Sequence, residues 1–121
     1  MAKKAINLKD DLKNRIFSDS ILNGNVLYIS GQVGTVEGED NSFEKQFRRV
    51  LEKLSSILKK ADMSLDNVLR LGVYLKDRND FPKMNQLFNE FFPKNPPARS
   101  TIVTSLVNEN MLVEIDAIAS R

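Results

Sequence analysis

Apolar residues recur at Phe43, Phe47, Val50, Leu51, Leu54, Ile57, Leu58 and Ala61. This i, i+3, i+4, i+7 spacing lays one apolar stripe along an α-helix of about five turns. Asn41, three residues before Glu44, reads as its cap, and Lys45, Arg48, Arg49, Glu52, Lys53, Lys59 and Lys60 fall mostly on the opposite side. A second stripe, Phe81, Met84, Leu87, Phe88 and Phe91, begins at Asp80-Phe81-Pro82 and stops at Pro93; proline is tolerated in a first helical turn and not further in. Elsewhere the pattern is that of strands. Asn23-Gly24, set between Ile21-Leu22 and Val26-Leu27-Tyr28-Ile29, predicts an antiparallel hairpin within 16–33, because both turn residues tolerate positive φ. Residues 67–77, short, apolar and bounded by polar clusters, predict a strand. Two more strands are expected at 98–107 and 112–119, joined by Asn108-Glu109-Asn110, and 3–8 supplies a candidate edge strand. The segment 34–41 is a loop and Asn95-Pro96-Pro97 a stiff connector.

The order is therefore ββαβαββ with one further strand in front. It predicts an α+β fold: a two-layer sandwich in which two helices, each a right-handed crossover, cover one face of a mixed β-sheet. The strands, however, are apolar on both alternations. Leu69, Leu71, Val73 and Leu75 share one side, Val68, Gly72 and Tyr74 the other, and 26–29 has no polar face. Such runs belong to strands buried on both sides, so the uncovered face calls for a second copy of the chain. With 121 residues, 41% of them hydrophobic, the chain affords a core and reads as a single domain, 1–121.

Composition then narrows the chemistry. The chain has no His, Cys or Trp, which excludes disulfides, Cys- or His-ligated zinc, a Ser-His-Asp triad and a cysteine nucleophile. A net charge of +2 makes no demand for a polyanionic partner. The first residues carry Lys3, Lys4, Lys9, Asp10 and Asp11 with no apolar h-region, and no apolar run approaches a membrane span; the expectation is a soluble, cytoplasmic protein.

Among what remains, Arg99 follows the proline pair at a strand start, where its planar fork can grip a carboxylate or simply end an exposed strand. Glu114 and Asp116 share one side of the last strand, a pair able to position water or a cation, or an ordinary solvated face. Gly31-Gln32-Val33-Gly34 has a superficial likeness to an anion cradle but reads better as a turn or bulge. The basic side of the first helix reads as a solvated surface.

Taken in order, Ile29-Ser30-Gly31-Gln32, Pro97-Ala98-Arg99-Ser100-Thr101 and Val113-Glu114-Ile115-Asp116-Ala117-Ile118-Ala119 resemble the three signature blocks of the RidA/YjgF family of imine and enamine deaminases. Asp77-Arg78-Asn79-Asp80-Phe81, Met84-Asn85 and Phe91-Phe92 resemble the family's second-helix pattern, so the resemblance spans nearly the whole chain. It implies a chorismate-mutase-like barrel assembled as a homotrimer, with sites in the clefts between subunits. It also implies hydrolysis of 2-imino or 2-enamino acids to 2-keto acids and ammonia, with no cofactor and no metal. By position, Arg99 matches the carboxylate anchor and Glu114 the residue that holds the attacking water. Asn85 and the backbone near Gly31 match substrate-side positions, and Thr101 a site often taken by Cys or Thr. Phe17 stands where many members have Tyr, Arg15-Ile16 replaces the usual Gly-Pro, and Lys53 stands where Asn is frequent. Phe17 and the altered Arg15-Ile16 before it keep open a noncatalytic ligand-binding or regulatory trimer. RNA cleavage, attributed to some relatives, is disfavoured by the weak net charge.

Overall fold

The computed structural model describes residues 2–9 and 15–121, and among them the elements follow the expected order. β1 (Lys4–Ile6), β2 (Ser20–Asn23) and β3 (Val26–Val33) precede α1 (Phe43–Lys60); then come β4 (Val68–Leu75), α2 (Phe81–Phe91), β5 (Ala98–Val103) and β6 (Val113–Ser120). These strands form one mixed sheet, ordered β1-β2-β3-β6-β4-β5. β4 and β5 pair in parallel across the α2 crossover, and the other pairings are antiparallel.

Local chemistry accounts for the boundaries, with some corrections. The hairpin turn is Gly24-Asn25: Gly24 takes the positive φ, 61°, while Asn23 stays in β2 opposite Val26. The cap of α1 is Ser42, whose hydroxyl accepts from the Lys45 N–H at 3.4 Å, and not Asn41. The Asn41 amide instead matches both backbone groups of Val36, at 2.9 Å each, and closes the preceding loop. The last two strands are consecutive but unpaired. β5 ends at Val103 on the sheet edge, and β6 returns between β3 and β4.

Both helices lie on one face. Phe47, Leu51, Leu54, Ile57 and Leu58 of α1 are buried with Leu27, Val73, Leu75 and Ile115 of the sheet. Phe47 meets Phe88 of α2 edge-on, ring centroids 4.9 Å apart, a geometry favoured by the ring quadrupoles. The other face is uncovered in the single chain: Tyr28 is 51% and Ile102 52% exposed. Leu69, expected to share a side with Leu71, is 55% exposed while Leu71 is buried. A register shift between Val68 and Arg70 places Val68 inward opposite Ala119 and leaves Leu69 as the extra residue. No helix among the described residues is long and apolar enough to cross a membrane.

Gln46 ties α1 to the entry of β6. It is fully buried; its Nε2 donates to the carbonyls of Asn41 (2.8 Å) and Asn110 (3.0 Å), and its Oε1 accepts from Leu112 N–H (2.9 Å). Gln46→Ala strands three backbone groups, and buried groups left unpaired cost roughly 1–3 kcal/mol apiece. Urea unfolding of Gln46→Ala is expected to show a loss of about 3 kcal/mol.

Candidate active site

The stiff Pro96-Pro97 pair delivers the chain into β5, and parallel register sets Arg99 opposite Leu71, a buried residue of the inner face. Arg99 therefore points to the helix side. Its Nη2 donates to Asn85 Oδ1 of α2 at 2.9 Å. Its guanidinium carbon lies 4.8 Å from the Phe88 ring centroid and 5.8 Å from that of Phe81. Two rings and an amide thus hold the fork in one orientation. Partial burial lowers the Arg99 guanidinium from its ordinary value, without discharging it. A cavity of about 360 Å³ opens beside it, lined by Leu71, Asn85, Phe88, Phe92 and Pro97 among others. Thr101 lies on the same side, opposite Val73, and its hydroxyl oxygen is buried with no hydrogen-bond partner among the described residues.

The pattern of apolar positions assigned Phe81 and Phe88 to the core stripe. Phe88 is buried, but Phe81 is 40% exposed, and both flank Arg99. The signal was present in the spacing: positions 81, 85 and 88 fall at i, i+4, i+7 and share one helix face.

The second group lies across the sheet. β6 alternates buried Val113, Ile115, Ala117 and Ala119 with half-buried Glu114, Asp116 and Ile118 on the uncovered face. The flanking strands make room for the two carboxylates with glycines. A Cβ on Gly31 would come 2.2 Å from Glu114 Oε2, and one on Gly72 would come 2.5 Å from Asp116 Oδ1. Gly31 sits in a β3 irregularity between Ile29 and Gln32, so the glycine-containing segment is a bulge, as its composition suggested. Ser30 anchors the bulge by donating from N–H to Asp19 O (2.9 Å) and from Oγ to Ser18 O (2.7 Å). The same stretch carries Phe17, which lines an open hollow with Ile16, Ile21 and Ser30 and is 59% exposed. Lys53 of α1 holds the strand just beyond, donating to Val33 O at 2.6 Å.

The two carboxylates have different surroundings. Asp116 Oδ2 accepts from the Tyr74 hydroxyl at 2.8 Å. Among the described residues no group donates to Glu114, and burial first, then the Asp116 charge, raise its carboxyl above the ordinary value. The candidate residues thus form two groups, Arg99 with Asn85 and Thr101 on the helix side, and Glu114 with Gly31 and the Phe17 stretch on the other. Within one chain the sheet stands between them.

The Endoribonuclease L-PSP family model matches residues 12–121. A RutC family protein of Pyrococcus horikoshii is 41% identical over 107 residues, 85% of each chain. Among solved structures, a Rid family protein of Yersinia pestis, YyfA, superposes with a TM-score of 0.87 at 29% identity, covering 99% of this chain and 100% of its own. RidA of an Antarctic Psychrobacter superposes at 0.82 and 29% identity, covering 89% and 90%. The α+β sheet with two helices described above is the fold of these structures.

Gly31→Ala tests the close approach at the bulge. The Glu114 carboxylate would have to retreat by more than about 1 Å to reach ordinary contact distance. A crystal structure of that variant is expected to show the carboxylate displaced with the sheet otherwise intact.

Proposed function

This chain belongs to the RidA/YjgF/L-PSP family, and on that premise we propose that it hydrolyses reactive 2-imino and 2-enamino acids to 2-keto acids and ammonia. The observation that carries the reading is the division of the candidate residues between the two faces of the sheet. A small imino acid cannot span a sheet from Arg99 to Glu114 of the same chain. It can lie in a cleft where the helix-side edge of one protomer meets the uncovered face of the next. The exposed Tyr28 and Ile102 on that face support such an assembly, and three copies arranged cyclically would give three equivalent clefts.

In this reading Arg99, oriented by Asn85 and the two rings, grips the substrate carboxylate. The backbone at Gly31 and the Thr101 hydroxyl face the imine end, and Phe17 closes the cleft. Glu114 of the adjoining protomer holds the water. The chemistry asks for little more. A protonated iminium carbon accepts neutral water, so the protein's work is to orient one water, and orientation alone can supply up to roughly 7–11 kcal/mol. As the water oxygen bonds to C2, Glu114 takes its proton. That proton passes to the nitrogen of the resulting carbinolamine, the C–N bond breaks, and the hydroxyl proton passes to the released ammonia as the ketone forms. The balance is iminium plus water to keto acid plus ammonium. Imidazole, thiol and cofactor have no part in it.

The RNA-cleaving reading that the family model's name suggests receives less support, because several basic residues of α1 are bonded within the chain. Arg48 pairs with Glu44 and Glu90 at 3.0 Å each, Arg49 donates to Gly34 O at 2.9 Å, and Lys60 to Asn7 O at 2.7 Å. A noncatalytic ligand-binding trimer is favoured by one observation: Phe17 offers the cleft no hydroxyl. A metabolite that raises the melting temperature without any imine turnover would select it.

Decay of 2-iminobutanoate or 2-iminopropanoate, generated by an amino-acid oxidase, should accelerate in the presence of the protein. Arg99→Ala is expected to lower kcat/KM by at least about 10²-fold, as loss of one partner of a charge pair does. Arg99→Lys should restore little of it, because an ammonium lacks the fork. Glu114→Gln should lower kcat by about 10²–10⁴-fold. If each site draws Arg99 from one protomer and Glu114 from another, co-assembled equal parts of Arg99→Ala and Glu114→Gln regain about one quarter of the wild-type sites, half times half at random. No recovery on mixing would contradict shared sites.

A further inference from the structure

Resting on the deaminase reading, we propose that Asp116, held by Tyr74, is a positioning residue whose negative charge keeps Glu114 basic enough to take a proton from the attacking water.

The geometry is specific. Glu114 and Asp116 are two residues apart on β6, so both project from the uncovered face, about 7 Å apart along the strand. Tyr74 stands directly opposite Glu114 in the β4–β6 register, yet its hydroxyl passes Glu114 by and donates to Asp116 at 2.8 Å. Gly72, opposite Asp116, provides the space in which that carboxylate lies. Glu114, packed on Gly31, has no donor of its own among the described residues. One member of the pair thus has a hydrogen-bond donor that fixes its position, and the other has none.

The need for this charge follows from the anchor. A guanidinium that grips the substrate carboxylate also favours the ionised form of any carboxylate nearby, and so weakens it as a base. In the proposed cleft, Arg99 of the adjoining protomer would act on Glu114 in that sense. From its own chain, Glu114 faces Gly31 and Val33 of β3, Tyr74 of β4 and Asp116 of β6. Arg70, the cation on this face of β4, aligns with Ile118 and is bonded to Ser100 Oγ at 3.0 Å. Asp116 is therefore the local anion that offsets the anchor. The raised carboxyl of Glu114, caused by burial and then by Asp116, has the sign this arrangement requires.

Two near-isosteric variants separate charge from packing. In Asp116→Asn the repulsion is gone, and Glu114 ionises more readily. Its midpoint, read from the side-chain carboxyl ¹³C shift of glutamate-labelled protein, should fall. The acid limb of the kcat profile should move to lower pH with it, and the plateau should drop several-fold because the base is weaker. Tyr74→Phe retains the charge, and the limb should stay where it is. A Glu114 midpoint unchanged in Asp116→Asn, or moved equally by Tyr74→Phe, would overturn the proposal. The carbon titration reads the coupling without turnover. Absence of imine hydrolysis in the wild type would therefore count against the deaminase reading, while the titration still decides whether Asp116 governs Glu114.

Discussion

A pleated strand turns successive side chains to opposite faces, and that alternation separates the two halves of the candidate site. Arg99 is in register with Leu71 and falls on the side the helices cover. Glu114 lies between the inward residues Val113 and Ile115 and falls on the side left open. No rotamer change can carry either side chain through a hydrogen-bonded sheet. Any chemistry that uses both therefore requires a second protomer, and the exposed aromatic and aliphatic residues around Glu114 give that protomer a reason to bind.

The sheet order makes the arrangement possible. Because β6 returns between β3 and β4, the acidic strand is central and rigid, flanked on both sides by strands that place glycines at Glu114 and Asp116. Because β5 is left at the edge, Arg99 stands at the rim of the protomer, where α2 reaches it with Asn85, Phe81 and Phe88. The candidate base Glu114 thus sits on a strand inside the sheet, and the candidate anchor Arg99 on the strand at its edge. Gln46 and Lys53, both on α1, fix the two strand ends beside this region through bonds to backbone groups.

Much of this was legible in the chain. The 3.6-residue period gives both helices, the Asn-Gly pair gives the hairpin, and the two-sided apolarity of 26–29 and 68–75 gives the open face. The signature blocks around Gly31, Arg99 and Glu114 gave the family. The pairing of β5 was not legible, because nothing local to 98–119 distinguishes a hairpin from a strand that crosses to a distant slot. Neither was the bulge that exposes Leu69, since a one-residue shift alters facing without altering composition. Asn41 lost its place as cap because its amide fits Val36 better. Phe81, the first residue of α2, lies outside the core and beside Arg99. The split between Arg99 and Glu114 followed only once registers were known.

The central claim is that one small anion is held by Arg99 of one protomer and addressed by Glu114 of another. A crystal structure of the assembled protein soaked with 2-oxobutanoate measures this directly. The account predicts the ligand carboxylate in a two-pronged contact with Arg99 and the keto carbon one water away from Glu114 of a neighbouring chain. A ligand that leaves Arg99 unpaired, or that meets Glu114 only through residues of the same chain, would contradict it.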